Sequence, residues 1–252
     1  MPSGQCGGKI KLSEGYTNSS WQALIGQMEI ARERGQTAYA MEGLSQIRTK
    51  AIEQGNWEAV GLATAHIIVC YKHLYQNTGS GCYLLTMEDE LKQALTLLIS
   101  DSLKAAFWMR WSDIEYERGS FSQAESCCRQ AHLLIEKNTY AEAECLSRWG
   151  YAKTKLGALR EAEDLFARAT EIIAGIGGPR TFRQVTLESG LFARRTQLCL
   201  AQKRYVEAVR CFIRGYMLAW EYRLRYGMPQ RVRQYHQRLF RAFQPALKRN
   251  DK

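Results

Sequence analysis

A six-residue pattern recurs four times without gaps: Gly55-Asn-Trp57-Glu-Ala-Val60, Gly119-Ser-Phe121-Ser-Gln-Ala124, Gly157-Ala-Leu159-Arg-Glu-Ala162 and Lys203-Arg-Tyr205-Val-Glu-Ala208. Each copy starts with Gly or Lys, places a large apolar residue two positions later and a small one three after that. The register continues downstream through Thr64, Cys128, Phe166 and Phe212, then Ile67, Ala131, Ala169 and Gly215. Upstream, Leu44, Trp108, Leu146 and Phe192 sit eleven residues before the Gly or Lys, and Ile47, Trp111, Trp149 and Arg195 sit eight before it. Spacings of three and four put these side chains on one helix face. Glycine suits the left-handed residue that ends a helix, so each copy predicts two antiparallel helices joined by a tight turn. The small residue lets them approach closely.

The whole chain can be read this way. The periodicity predicts helices over 20–34, 37–54, 57–74, 84–100, 102–118, 121–136, 140–156, 159–174, 181–202, 205–226 and 229–247, with 84–100 either separate or running on into the next. Only four prolines occur in 252 residues, three of them in the last third, which leaves long stretches free for helices. The expected organisation is a lead-in over 1–19, a helical repeat domain over 20–228, and a capping helix with a basic tail over 229–252. In the cap, Val232, His236, Leu239 and Phe243 share one face, as a solenoid end requires.

The intervals between the Gly/Lys positions are 64, 38 and 46 residues. Gln76-Asn-Thr-Gly-Ser-Gly-Cys82 and Gly175-Ile-Gly-Gly-Pro179 are the natural places for the extra length. With Trp108-x-x-Trp111-Ser112, Leu146-x-x-Trp149-Gly150 and the Ala-x-x-x-Phe pairs Ala162/Phe166 and Ala208/Phe212, the region 38–222 resembles the tetratricopeptide repeat in a long-helix form. The resemblance departs from the usual 34-residue period, from glycine at Lys203 and from an apolar residue at Arg195. It implies a right-handed all-α solenoid of helix-turn-helix repeats that binds other macromolecules. It also implies that the first helix of each pair lines a concave groove.

Nine residues before each Gly/Lys stand Gln46, Arg110, Arg148 and Arg194, and six before stand Thr49, Asp113, Tyr151 and Gln197. The candidate groove is therefore Arg110, Asp113, Arg148, Tyr151, Arg194 and Gln197, with guanidinium forks suited to the carboxylates of an acidic protein segment. The alternative is local pairing, Arg148 with Glu144 and Arg110 with Asp113, as on any helix surface. The family's groove for a chaperone C-terminal carboxylate uses asparagines and lysines at these places, which this chain lacks.

Charge is uneven. The chain is net +10, yet from Gly178 onward 17 basic residues face four acidic ones, so the preceding 177 residues are net −3. Arg210, Arg214, Arg225, Arg231, Arg238 and Arg241 form a candidate basic patch, interleaved with Trp220, Tyr222, Tyr226 and Tyr235. Such a composition suits phosphate contact with base stacking. RNA or DNA binding is thus one alternative to a protein-binding scaffold, and a peptide-sensing regulatory domain is another. Self-association through solenoid ends is a further expectation.

Nothing in the sequence calls for catalysis, a metal or a cofactor. The histidines His66, His73, His132 and His236 form no metal-binding pair, and no nucleophile elbow or phosphate-binding loop occurs. The eight cysteines contain no C-x-x-C pair, which points to reduced thiols and a cytoplasmic setting. No apolar run is long enough for a membrane span or a secretory leader.

Overall fold

A computed structural model describes residues 17–177, 181–229, 232, 233 and 235. These residues form α1 (Asn18–Glu33), α2 (Thr37–Glu53), α3 (Trp57–Thr78), α4 (Cys82–Ala94), α5 (Asp101–Arg118), α6 (Phe121–Leu134), α7 (Tyr140–Lys155), α8 (Leu159–Gly175), α9 (Phe182–Ala201) and α10 (Tyr205–Tyr226), and no strand. The fold is all-α, built from the helix-turn-helix repeats of an α-solenoid. Most of the 1–19 lead-in and of the 229–247 cap lies outside the described residues. The chain divides into two compact units, Met1–Arg32 with Gln36–Leu103, and Glu33–Gly35 with Lys104–Lys252.

The hairpin turn is one structure used repeatedly. Gly55, Gly119, Gly157 and Lys203 all have positive φ, at 67°, 77°, 81° and 60°. After each, the next backbone N–H reaches back five residues: Asn56 to Ala51 O, Ser120 to Glu115 O, Ala158 to Lys153 O and Arg204 to Cys199 O, at 2.8–3.0 Å. This is the Schellman closure, which satisfies carbonyls left over at a helix end. That same residue then opens the following helix: Ala124 N–H donates to Ser120 O, Ala162 to Ala158 O and Ala208 to Arg204 O. A fifth copy lies between α1 and α2, where Gly35 has φ 91° and Gln36 N–H reaches Ala31 O at 3.0 Å. The six-residue pattern missed it because Thr37 stands where the others carry a large apolar residue.

In the first unit, Trp21, Ile25 and Met28 of α1 pack with Leu44 and Ile47 of α2 and Val60, Ala63 and Ile67 of α3. α4 is a separate helix. It ends at Ala94, where Thr96 folds back, its hydroxyl donating to Gln93 O at 2.7 Å. Gly61 on α3 faces Leu103 Cδ1 and Ile99 Cγ2, which lie 3.0 and 3.1 Å from where a Cβ would sit. Glu58 anchors the same place, accepting from the backbone N–H and hydroxyl of Ser100 at 3.0 and 2.6 Å.

The second unit is a run of hairpins, α5–α6, α7–α8 and α9–α10. Ala124, Ala162 and Ala208 are fully buried at the helix crossings. Gly150 opposite Ala162 admits the Phe166 ring, whose Cζ lies 3.1 Å from a notional Cβ. Local caps set where the helices start. Thr139 accepts from Glu142 N–H to open α7, and Thr181 and Gln184 form a capping box on α9. Of the described cap residues, Val232 and Tyr235 are buried with Ala193 and Ala219. Gly215 on α10 makes room for the Tyr235 ring, whose Cζ lies 2.7 Å from a notional Cβ.

Cys127, Cys128, Cys145 and Cys199 are buried reduced thiols. Burial pushes the Cys127 thiol up to about 12 and Cys199 to about 11, so neither holds a reactive thiolate at neutral pH. Reductant is expected to leave the urea midpoint unchanged.

Among the described repeat turns, Lys203 is the one without glycine. A side chain in the left-handed region costs about 1–2 kcal/mol, partly offset by the larger entropy glycine loses on folding. Lys203→Gly should raise stability by up to about 1 kcal/mol in urea titration, whereas Gly157→Ala should lower it by a similar amount. Ala162→Leu should cost about 1–3 kcal/mol by overpacking the α7–α8 crossing. An unchanged midpoint in all three would show that these turns and crossings do not govern stability.

Candidate functional site

Within the second unit, Arg110, Arg148 and Arg194 come together from α5, α7 and α9. Arg148 is the centre, and its side chain is 3% exposed. It binds Asp113 of α5 in a short contact, Glu144 of its own helix at 3.1 Å through Nε and 2.7 Å through Nη2, and Met109 O at 3.4 Å. Arg110 reaches the same two acids, Asp113 at 3.2 Å and Glu144 at 3.5 Å, and stays 18% exposed. Tyr116 donates its hydroxyl to Arg148 O, fixing α5 against the backbone of α7.

The cross-helix contacts join neighbouring first helices of the repeat. Asp113, six residues before Gly119, meets Arg148, nine before Gly157. Arg194, nine before Lys203, meets Ser147 at 2.9 Å, ten before Gly157. Both the local pairs and the row of arginines are therefore present. The local pairing alone was visible in sequence, whereas the bonds from α7 to α5 and from α9 to α7 were not.

The electrostatics separate the three arginines. Burial works against the Arg148 charge, but Asp113 and Glu144 outweigh it and hold its pKa well above the usual range. Glu144 is likewise disfavoured by burial, yet Arg148 and Arg110 bring its carboxyl down to about 2. Arg194 differs. Burial and the neighbouring Arg148 charge both push its pKa down, and its hydrogen bond goes to the neutral Ser147 hydroxyl. Three guanidinium groups thus share two carboxylates. Glu144 is the residue the row of candidates omitted, although its position four before Arg148 marks it.

The other candidates lie around this core. Tyr151 packs on Tyr116 with ring centroids 5.1 Å apart, and Lys155 sits over its ring. Gln197 is half-buried on α9. Of the basic patch, Arg210, Arg214 and Arg225 are exposed on α10. Arg231, Arg238 and Arg241 lie outside the described residues. Of the interleaved aromatics, Tyr222 and Tyr235 are buried and so unavailable for base stacking. Trp220 is half-buried and carries Arg223 over its ring at 4.8 Å.

Among the described residues no three His, Cys, Asp or Glu side chains converge as metal ligands, and no helix is long and apolar enough to cross a membrane. His132 is engaged with Glu142 at 3.2 Å and His66 with Arg32 at 3.1 Å. These are packing roles.

Stacked helical hairpins with a polar cluster across successive first helices define a helical-repeat fold of the all-α class. Among solved structures the chain is similar to Pseudomonas aeruginosa pilF, with a TM-score of 0.52 over 90% of this chain and 93% of that one, at 16% sequence identity. At that identity the likeness establishes the fold. No family model matches the sequence, and no curated protein matches it.

Because Arg148 is buried between two acids, Asp113→Asn should cost about 3–5 kcal/mol, the range for breaking a buried pair. The Glu144 carboxyl is depressed from 4.5 to about 2 on folding, so the stability it confers is complete above 4.5 and lost as pH falls toward 2. Urea midpoints taken between about pH 5 and pH 3 should therefore fall, and fall less in Glu144→Gln. Parallel curves for the two proteins would exclude Glu144 as the source.

Proposed function

We propose that the protein is a non-catalytic interaction scaffold that holds an acidic segment of another protein against the first helices of its second unit. The observation that carries this reading is the charge imbalance around Arg148. Asp113 and Glu144 are spent on Arg148 and Arg110, which leaves Arg194 with a neutral partner and a guanidinium disfavoured by its surroundings. A carboxylate from outside would relieve that imbalance and gain a charge-assisted, bidentate hydrogen bond. Arg194 and the partly exposed Arg110 are the contact residues, Tyr151 and Gln197 the flanking ones, and Arg148 with Asp113 and Glu144 the support that fixes them.

A labelled peptide of alternating glutamate and serine tests this with the full chain by fluorescence anisotropy. Binding should weaken with salt and fall at least tenfold in Arg194→Ala, about 1.4 kcal/mol. Arg110→Ala should have a smaller effect. Arg148 is unsuitable as a probe, since its loss strands the buried Asp113 carboxylate. Equal affinity in wild type and Arg194→Ala would sink the reading.

A further inference from the structure

α10 carries a second face that the arginine cluster does not explain. Ala208, Gly215, Leu218, Ala219 and Tyr222 are buried, and α10 packs on α9 through this side. Almost opposite lie Val206, Val209, Ile213, Met217 and Leu224, at intervals of three, four, four and seven, which is one stripe along the helix. They are 68%, 49%, 49%, 66% and 78% exposed. Beyond Ile213 the stripe borders a recess of about 650 Å³ lined by Tyr216, Met217, Trp220, Glu221, Leu224 and Arg225. A soluble surface rarely exposes a contiguous apolar stripe of this length without a partner.

The stripe is bordered along one edge by Arg210, Arg214 and Arg225, with Glu207 and Glu221 between them. Both acids already have cations: Arg204 holds Glu207, and Arg225 lies 3.7 Å from Glu221. Arg214 rests over the Phe192 ring at 4.9 Å, which fixes it beside the stripe. A second copy seated antiparallel on this face would bring the arginine edges of both copies together, at a cost in like-charge repulsion. A nucleic acid would find aliphatic side chains along the stripe. The two rings of the recess, Tyr216 and Trp220, are half-buried and engaged with each other and with Arg223, whereas stacking needs open aromatic faces.

We infer that the outer face of α10 is a docking surface for an amphipathic helix of another protein, with an apolar stripe set against Val206, Val209, Ile213, Met217 and Leu224 and acidic residues along the edge facing Arg210 and Arg214. Helix-on-helix docking uses apolar anchors at this spacing, and the charged edge sets partner choice and orientation. This surface is independent of the arginine cluster and stands or falls separately from it.

The probe is a labelled designed helix of about 20 residues with leucines at the anchor spacing and glutamates elsewhere, titrated against the full chain. A lysine-for-glutamate counterpart and a scrambled peptide serve as controls. The acidic helix should bind, and the controls should not. Met217→Glu and Leu224→Glu, both at exposed positions, should each weaken binding at least tenfold while circular dichroism stays unchanged. Arg210→Gln with Arg214→Gln should reduce the salt dependence. Arg194→Ala should have no effect, which separates this site from the proposed groove. Absence of binding, equal binding of the lysine peptide, or full affinity in Met217→Glu would overturn the inference. So would a dimer that dissociates in Met217→Glu, which assigns the face to a second copy, or displacement of the helix by a single-stranded oligonucleotide.

Discussion

A single left-handed residue at each hairpin turn is the constraint on which the rest depends. With φ positive at Gly55, Gly119, Gly157 and Lys203, the chain reverses in two residues, and the N–H groups at the turn satisfy the carbonyls of the helix just ended. So short a connection leaves the next helix little choice of direction. It must run back along the first, and the two can approach only where a side chain is small. That is the place of Ala124, Ala162 and Ala208, all fully buried. Turn and crossing together fix which face of each second helix is hidden, and hence which residues of the first helices are left to meet their neighbours.

The polar cluster of the second unit is a consequence of that stacking. Once α5, α7 and α9 stand side by side, residues nine before each turn form a row, and like charges in a row must be neutralised or exposed. Asp113 and Glu144 neutralise the middle of the row. Burying Arg148 would otherwise cost several kcal/mol, and the cluster carries it only because two acids and Met109 O use its donors. Arg194 instead hydrogen-bonds the Ser147 hydroxyl, and burial and the Arg148 charge push its pKa down although Glu144 and Asp113 still act on it. The three arginines of one row thus sit in different surroundings, Arg148 between two acids and Arg194 against a neutral hydroxyl.

α10 shows the complementary case, in which apolar rather than charged surface is left over. It is the last helix of the last described hairpin, so one side is used by α9 and the start of the cap. Gly215 is kept small on that side to admit Tyr235. The opposite side keeps a helical apolar period whose side chains stay exposed. Two surfaces of different chemistry thus belong to one unit, one polar across three helices and one aliphatic along a single helix.

From sequence alone, the positions of the helices and turns could be read closely. The expected 57–74, 121–136 and 205–226 correspond to α3, α6 and α10, because helical period and left-handed turn residues are local properties. Gly35 was missed because Thr37 breaks the pattern, although its backbone repeats the same closure. The arginine row was legible as equal positions in a repeat, and the Glu144–Arg148 pair as a four-residue spacing. Which arginine is buried, which acid it takes from the next helix, and which is left with Ser147 were decided only in three dimensions. Those outcomes depend on how neighbouring first helices are set against one another, which side-chain packing decides and no single segment encodes. The free face of α10 is of the same kind: its period is written in the sequence, but its exposure is decided by what packs elsewhere.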